Sequence, residues 1–192
     1  TYSNPKSPIS EAYRVLRTNI QFSSVDNPLK TIVVTSAGQG EGKTTTIANL
    51  AITFAQSGSK TLLIDGDLRK PRLHKHFGFS NDSGITTILA RRENYTKHLH
   101  EGPVENLHVL VSGPVPPNPS ELLSSNSMKQ LIVSLKEDYD MVLIDAPPVG
   151  TVTDAAILST LVDGTILVAT SGHVEIEAIQ RARDLLDKVN AN

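Results

Sequence analysis

The sequence contains no cysteine, which excludes disulfide scaffolds, thiolate zinc sites and thiol nucleophiles at once and suits a reducing compartment. Tryptophan is absent too, and aromatic residues make up only 4% of the chain, too few for the stacking platforms that grip single-stranded nucleic acid. Neither sign of charge dominates: 18 Lys and Arg stand against 20 Asp and Glu, a net charge of -2, so no general attraction to nucleic acid or anionic lipid is expected. No apolar run nears the roughly 18 residues of a membrane span, and no basic-then-apolar signal segment opens the chain. Together these absences predict a cytoplasmic protein with neither nucleic-acid binding nor direct membrane insertion. What remains is 192 residues, 39% of them hydrophobic, enough to bury one sizeable core and to form a single domain over residues 1–192.

Five short runs rich in Leu, Ile and Val read as strands, at 31–35, 60–64, 107–111, 141–144 and 165–168. They do not alternate with polar residues, and strands apolar on both faces belong inside a parallel sheet covered by helices on each side. Helical periodicity fills the stretches between them, at 44–56, 128–136, 154–161 and 174–189, with shorter pieces at 84–91 and 120–124. That alternation predicts a doubly wound α/β fold with a mainly parallel sheet. An extra helix precedes the first strand: Ser7 can cap it, Pro8 can occupy its first position, and it runs to about Phe22. The segment 112–120, SGPVPPNPS, is too rich in Pro and Gly for helix or strand and reads as a shaped loop. A helix ending near Asn190 would normally feed another parallel strand, and residue 1 is Thr, so the chain reads as a fragment of a longer protein.

The sharpest local signal is TSAGQGEGKTT at 35–45, between an apolar strand and a helix. Gly38, Gly40 and Gly42 let the backbone curl with its N–H groups inward, and the helix adds its positive N-terminal end, so phosphate oxygens find donors there. The candidate nucleotide-binding set is Gly38, Gln39, Gly40, Glu41, Gly42, Lys43, Thr44 and Thr45. Lys43 would reach the β and γ phosphates of a bound nucleotide, and the Thr44 hydroxyl would ligate Mg2+. A Rossmann loop is the competing reading, since Asp65 ends the second strand where a ribose-binding acid would sit, but G-x-G-x-G-K lacks the Rossmann spacing.

A metal nucleotide needs carboxylates at neighbouring strand ends, and two strands supply them: LLIDGDLR at 62–69 offers Asp65 and Asp67, and MVLIDAPP at 141–148 offers Asp145. One such Asp alone could simply cap a turn. Three around a phosphate loop point to magnesium, which keeps several waters and so accepts indirect contact. Thr44, Asp65, Asp67 and Asp145 are the candidate metal set, and Lys43, Asp65, Asp67 and Asp145 the candidate catalytic set.

The phosphate loop and the two acidic strands resemble the Walker-type ATPases of the partition and cell-division-site group. Those carry a further Lys early in the loop, acting across a dimer, where this sequence has Gly38. The sequence more closely resembles the bacterial tyrosine kinases of capsule and exopolysaccharide systems. The likeness is carried by EAYRVLRTN at 11–19, the phosphate loop, DGDLRKP at 65–71, SGPVPPNPSELL at 112–123 and DAPP at 145–148. It implies a P-loop fold of the partition-ATPase-like group with an extra N-terminal helix, ATP and Mg2+ as cofactors, and phosphoryl transfer from ATP to Tyr. It also implies that Glu11, Arg14 and Arg17, spaced by three along one helical side, serve self-association of a 1–28 extension into a ring. A solvated charged face is the plainer reading of those three residues.

Further partners implied by the resemblance are protein Tyr substrates and a transmembrane activator, separate or fused, whose cytoplasmic tail activates the kinase, with recruitment to the inner face of the plasma membrane by such a partner. Family members phosphorylate a Tyr-rich C-terminal tail, whereas Tyr2, Tyr13, Tyr95 and Tyr139 are scattered here. A Tyr hydroxyl, with a pKa of about 10, needs a nearby carboxylate to react at neutral pH. Asp65 is the expected hydroxyl-orienting base, Asp67 and Asp145 the magnesium organisers, and Arg69 or Arg72 a source of extra positive charge. His74 with His76, and His98 with His100, lack the third spaced ligand of a metal site. The prolines of 114–119 read as a turn rather than a docking ligand. Two other functions fit less of the sequence: a partition-type switch ATPase and a non-catalytic nucleotide-binding regulator.

Overall fold

The computed structural model describes residues 6–23 and 27–192; Tyr2 and the outer parts of the 1–28 extension lie outside them. In chain order the elements are α1 (Pro8–Phe22), β1 (Thr31–Ser36), α2 (Lys43–Gln56), β2 (Thr61–Asp65), α3 (Leu73–Phe77), α4 (Ile85–Arg91) and a 3-10 turn (Tyr95–His98). Then come β3 (His100–Glu101), β4 (Leu107–Leu110), α5 (Pro119–Ser124), α6 (Asn126–Asp138), β5 (Met141–Asp145), α7 (Asp154–Ser159), β6 (Gly164–Val168) and α8 (Ile176–Asp187). The sheet has six strands in the order β3-β4-β2-β5-β1-β6. All neighbours are parallel except the edge pair of β3 with β4. The expected doubly wound, mainly parallel fold is what the chain adopts.

The unalternating strands are explained by a core on each face. Because side chains alternate along a strand, Val33, Leu62, Ile64, Val142 and Ile144 fall on one face, under α4 to α8. Ile32, Val34, Leu63, Met141 and Leu143 fall on the other, under α2 with Ile20 of α1 and Leu73 of α3. Burying each such side chain is worth roughly 1.5–3 kcal/mol, so the central strands have no polar face to offer solvent.

Ser7 caps α1, its hydroxyl accepting from the Ser10 N–H, and Pro8 stands in the first turn as expected. The helix lies on α2, with Tyr13 and Leu16 packed against the second core. It leaves Ile9 66% and Phe22 70% exposed. β3 and α3 are additions to the sequence reading: two residues of strand and five of helix are too short for any periodicity to register.

The sheet order matters most at its C-terminal edge. β5 lies between β1 and β2, in a register that sets Asp145 beside Val34 on one side and beside Asp65 on the other. The acidic strand ends therefore meet each other next to the loop that leaves β1, the crevice where open α/β sheets bind ligands.

Candidate active site

The loop after β1 turns through two left-handed residues, Gly40 and Gly42, with φ of +80° and +79°. A side chain at either would be strained. Gly42 then starts α2, so Lys43 and Thr44 form its first turn with their N–H groups open toward the crevice. Thr35 anchors the loop's base: its buried hydroxyl donates to the Pro147 carbonyl at 2.8 Å and accepts from the Val149 N–H at 3.1 Å. Glu41 is buried, one carboxylate oxygen accepting from the Gly38 N–H and the other without a partner.

A cavity of about 350 Å³ opens over this loop. Gln39, Gly40 and residues 42–45 form its floor, Asp67, Arg69, Lys70 and Arg72 one wall, and 145–148 with Thr151 and Val152 the other. Of the eight residues expected to bind nucleotide, Gly38 and Glu41 are outside this lining, held together beneath it. Thr151 and Val152 were not foreseen; only their proximity to the DAPP turn could have suggested them.

The Thr44 hydroxyl donates to Asp145 Oδ2 at 2.6 Å, across the gap between α2 and β5. Asp145 Oδ1 is buried and has no partner. Burial pushes the Asp145 carboxyl up to about 6, although the Thr44 bond and the Lys43 ammonium oppose it. Burial also lowers the Lys43 ammonium from its usual value, against the pull of Asp145, Asp67 and Glu41.

Asp65 departs from its expected place. It is 0% exposed and absent from the cavity lining. Its Oδ2 accepts from the N–H groups of Arg72 and Leu73, at 3.0 and 2.9 Å, while Oδ1 is buried without a partner. Burial, then the neighbouring Asp145, pushes its carboxyl up to about 8. Asp67, two residues on, does face the cavity, and its Oδ1 accepts from the N–H groups of Arg69 and Lys70 at 3.2 and 2.9 Å. The residue between must be glycine, since a Cβ on Gly66 would come within 2.8 Å of Ile144 and 2.9 Å of the Asp145 carbonyl.

Arg69 is a strut. Its Nε and Nη2 grip buried Asp154 at 2.8 and 3.0 Å, and Nη2 also reaches the Ser120 hydroxyl at 2.9 Å. The Ser120 hydroxyl in turn donates to Asp154 at 2.7 Å. This ties the turn after β2 to α7 and to the proline loop, which Asn81 pins through Gly113. In α1, Glu11 pairs with Arg14 at 2.8 Å, and Arg17 turns inward to the Thr53 carbonyl at 2.9 Å. The histidines pack locally: His98 between Ser83 and Glu93, and His100 on the Phe79 ring.

Magnesium fits the donor set. The unpartnered Asp145 Oδ1 and the Thr44 hydroxyl are hard oxygen donors side by side. Among the described residues no group of three or more His, Asp or Glu could enclose an ion, so most of its ligands would be water or phosphate, as magnesium prefers.

A profile described as an AAA domain matches residues 29–192. Over 184 residues the chain is 48% identical to "Tyrosine-protein kinase YwqD" of Bacillus subtilis (strain 168), covering 96% of this chain and 78% of the relative. The chimerical protein CapA2B2 superposes with a TM-score of 0.95 at 40% identity, covering 100% of this chain and 84% of that one. The kinase domain of Escherichia coli tyrosine kinase ETK gives 0.95 at 34%, covering 100% and 75%. More distant is the septum site-determining protein MinD of Pyrococcus horikoshii, complexed with Mg-ADP, at 0.70 and 27%, covering 83% and 65%.

Proposed function

This chain belongs to the bacterial tyrosine-protein kinase family, and on that premise we propose that it moves the γ-phosphoryl group of ATP, with Mg2+, to tyrosine hydroxyls of protein substrates in capsule or exopolysaccharide synthesis. The observation that carries the chemistry is the convergence of Lys43, Thr44, Asp67 and the unpartnered oxygen of Asp145 on one crevice. N–H groups of the loop and of the first turn of α2 bind the phosphates. Lys43 stabilises negative charge on the transferring group. Thr44 and Asp145, with Asp67, would hold the magnesium, which supplies neutralisation of phosphate charge when bound.

The division of labour among the carboxylates differs from the sequence expectation at both Asp65 and Asp67. Asp65 is too deeply buried to touch a substrate hydroxyl, so its role is to position: by accepting from Arg72 and Leu73 it shapes the turn that presents Asp67. Asp67, facing the cavity, orients the acceptor hydroxyl. Arg69 keeps that turn rigid through Asp154. Radiolabel from the γ-position of ATP should appear on Tyr of an added substrate and vanish in Lys43→Met. Release of free phosphate without label on protein would support a switch ATPase instead, and tight binding with neither product a non-catalytic regulator.

Self-association and recruitment belong to the same proposal. The exposed Val15 and Phe22, on the side of the Glu11 and Arg14 pair, give α1 a face for a second copy. Recruitment to the membrane is assigned to a transmembrane activator, separate or fused; among the described residues no helix is long and apolar enough to cross a membrane. Light scattering that reports a monomer at high concentration, unchanged in Arg14→Ala, would count against the α1 contact.

A further inference from the structure

The nucleotide cavity does not end at Lys70 and Arg72. A second, wider groove of about 750 Å³ continues from it, sharing Thr44, Thr45, Lys70 and Arg72 and running on along Pro71, His74, Lys75 and His76. Of its eight lining residues three are Lys or Arg, two are His and none is acidic. In a chain of net charge -2, that is a local concentration of positive charge that the composition does not require. No ion pair among the described residues engages Lys70, Arg72 or Lys75. The groove wall is also rigid where it leaves the site: Leu73 is fully buried, and Asp65 holds the N–H groups of both Arg72 and Leu73.

Resting on the kinase reading, we infer that this groove docks acidic residues flanking the acceptor tyrosine of a protein substrate. A tyrosine whose hydroxyl enters at Asp67 and Lys43 must lay its neighbouring residues over the adjoining surface, and the surface continuous with the phosphate end of the cavity is the Lys70 to His76 wall. Carboxylates there would meet Lys70 and Lys75, which make no ion pair among the described residues, and Arg72, whose charge also acts on Asp145. The contacts are exposed, so they serve choice of substrate and encounter rate more than raw affinity, and they weaken with salt.

Lys75 and His76 line the groove but not the nucleotide cavity, so changing them tests docking apart from chemistry. Two tyrosine peptides, one with Glu flanks and one with Gln flanks, should differ in kcat/KM in favour of the acidic one by about fivefold, mainly through KM, at low salt. The double variant Lys75→Gln, His76→Gln should bring the two peptides level without altering turnover of the Gln peptide, and Lys75→Glu should invert the preference. Equal kcat/KM for the two peptides in the unaltered chain would overturn the inference and leave the kinase reading intact. Label on neither peptide would remove the kinase reading. Docking is then decided by fluorescence anisotropy of the same peptides, where equal binding overturns it and tighter, Lys75-dependent binding of the acidic peptide upholds it. Loss of binding to phosphatidylserine vesicles in the double variant, with peptide preference unchanged, would assign the groove to a lipid surface and also overturn the inference.

Discussion

The two ends of the sheet treat their carboxylates in opposite ways. At the N-terminal edge, Asp163 accepts from the Lys136 ammonium at 2.6 Å, from the N–H groups of Lys30 and Thr31 at 3.0 and 2.9 Å, and from the Thr31 hydroxyl at 2.9 Å. Burial raises its pKa, yet those partners together hold it below the ordinary value. Asp140, nearby, accepts from the Lys60 N–H at 2.8 Å. At the C-terminal edge, Asp65 and Asp145 are more deeply buried, each keeps one oxygen without a partner, and both are pushed up. A carboxylate with its hydrogen bonds made is a strut, whereas one left with a bare buried oxygen carries a desolvation penalty, which at Asp145, in the cavity lining, a cation can relieve.

The contrast can be broken most strongly at the cavity. Asp67→Asn should lower kcat for Tyr phosphorylation by roughly 100-fold while the fold persists, because the group facing the acceptor is lost. Asp65→Asn should cost less, about tenfold, since the amide oxygen can still accept from Arg72 and Leu73; a larger loss for Asp65→Asn than for Asp67→Asn would restore Asp65 as the base. At the opposite end, Asp163→Ala should leave kinase turnover within a factor of two or so but lower stability to urea by about 2 kcal/mol, as two N–H donors lose their acceptor.

The smallest effect is the most diagnostic, because the two ends respond to pH with opposite signs. For Asp163, with a lowered folded pKa, the stabilisation is present above the usual 3.8 and is lost as pH falls through its folded value. For Asp145 and Asp65 the folded values are raised, so their contribution is complete below 3.8 and is lost as pH rises through about 6 and about 8 respectively. Melting of the protein in a chelating buffer should therefore decline between pH 6 and 8 in a way that Asp65→Asn flattens and Asp163→Asn does not. An unchanged slope in Asp65→Asn would mean that its carboxyl titrates normally.

Much of this was legible in the sequence, for physical reasons. Strands buried on both faces are continuous apolar runs, and a phosphate loop must be a Gly-rich turn between strand and helix, so both stand out locally. The carboxylates after β2 and β5 were visible for the same reason. Which of them faces the cavity was not, because it depends on where the chain bends after Gly66. Nor could Arg69 be seen as a strut, since its partner Asp154 lies 85 positions away and looks in the sequence like any helix-starting acid. Glu41 reads in the sequence as one loop residue among eight, and its burial with a bond to the Gly38 N–H depends on how the loop folds.

Calorimetric titration of ADP into the unaltered chain and into Asp145→Asn, with and without magnesium, tests most directly whether the bare oxygen of Asp145 is a metal-nucleotide site. The account predicts that magnesium tightens binding in the unaltered chain and that this increment disappears in Asp145→Asn while metal-free binding at the loop survives. A magnesium increment that persists in Asp145→Asn, or the absence of any heat of binding in the unaltered chain, would contradict it.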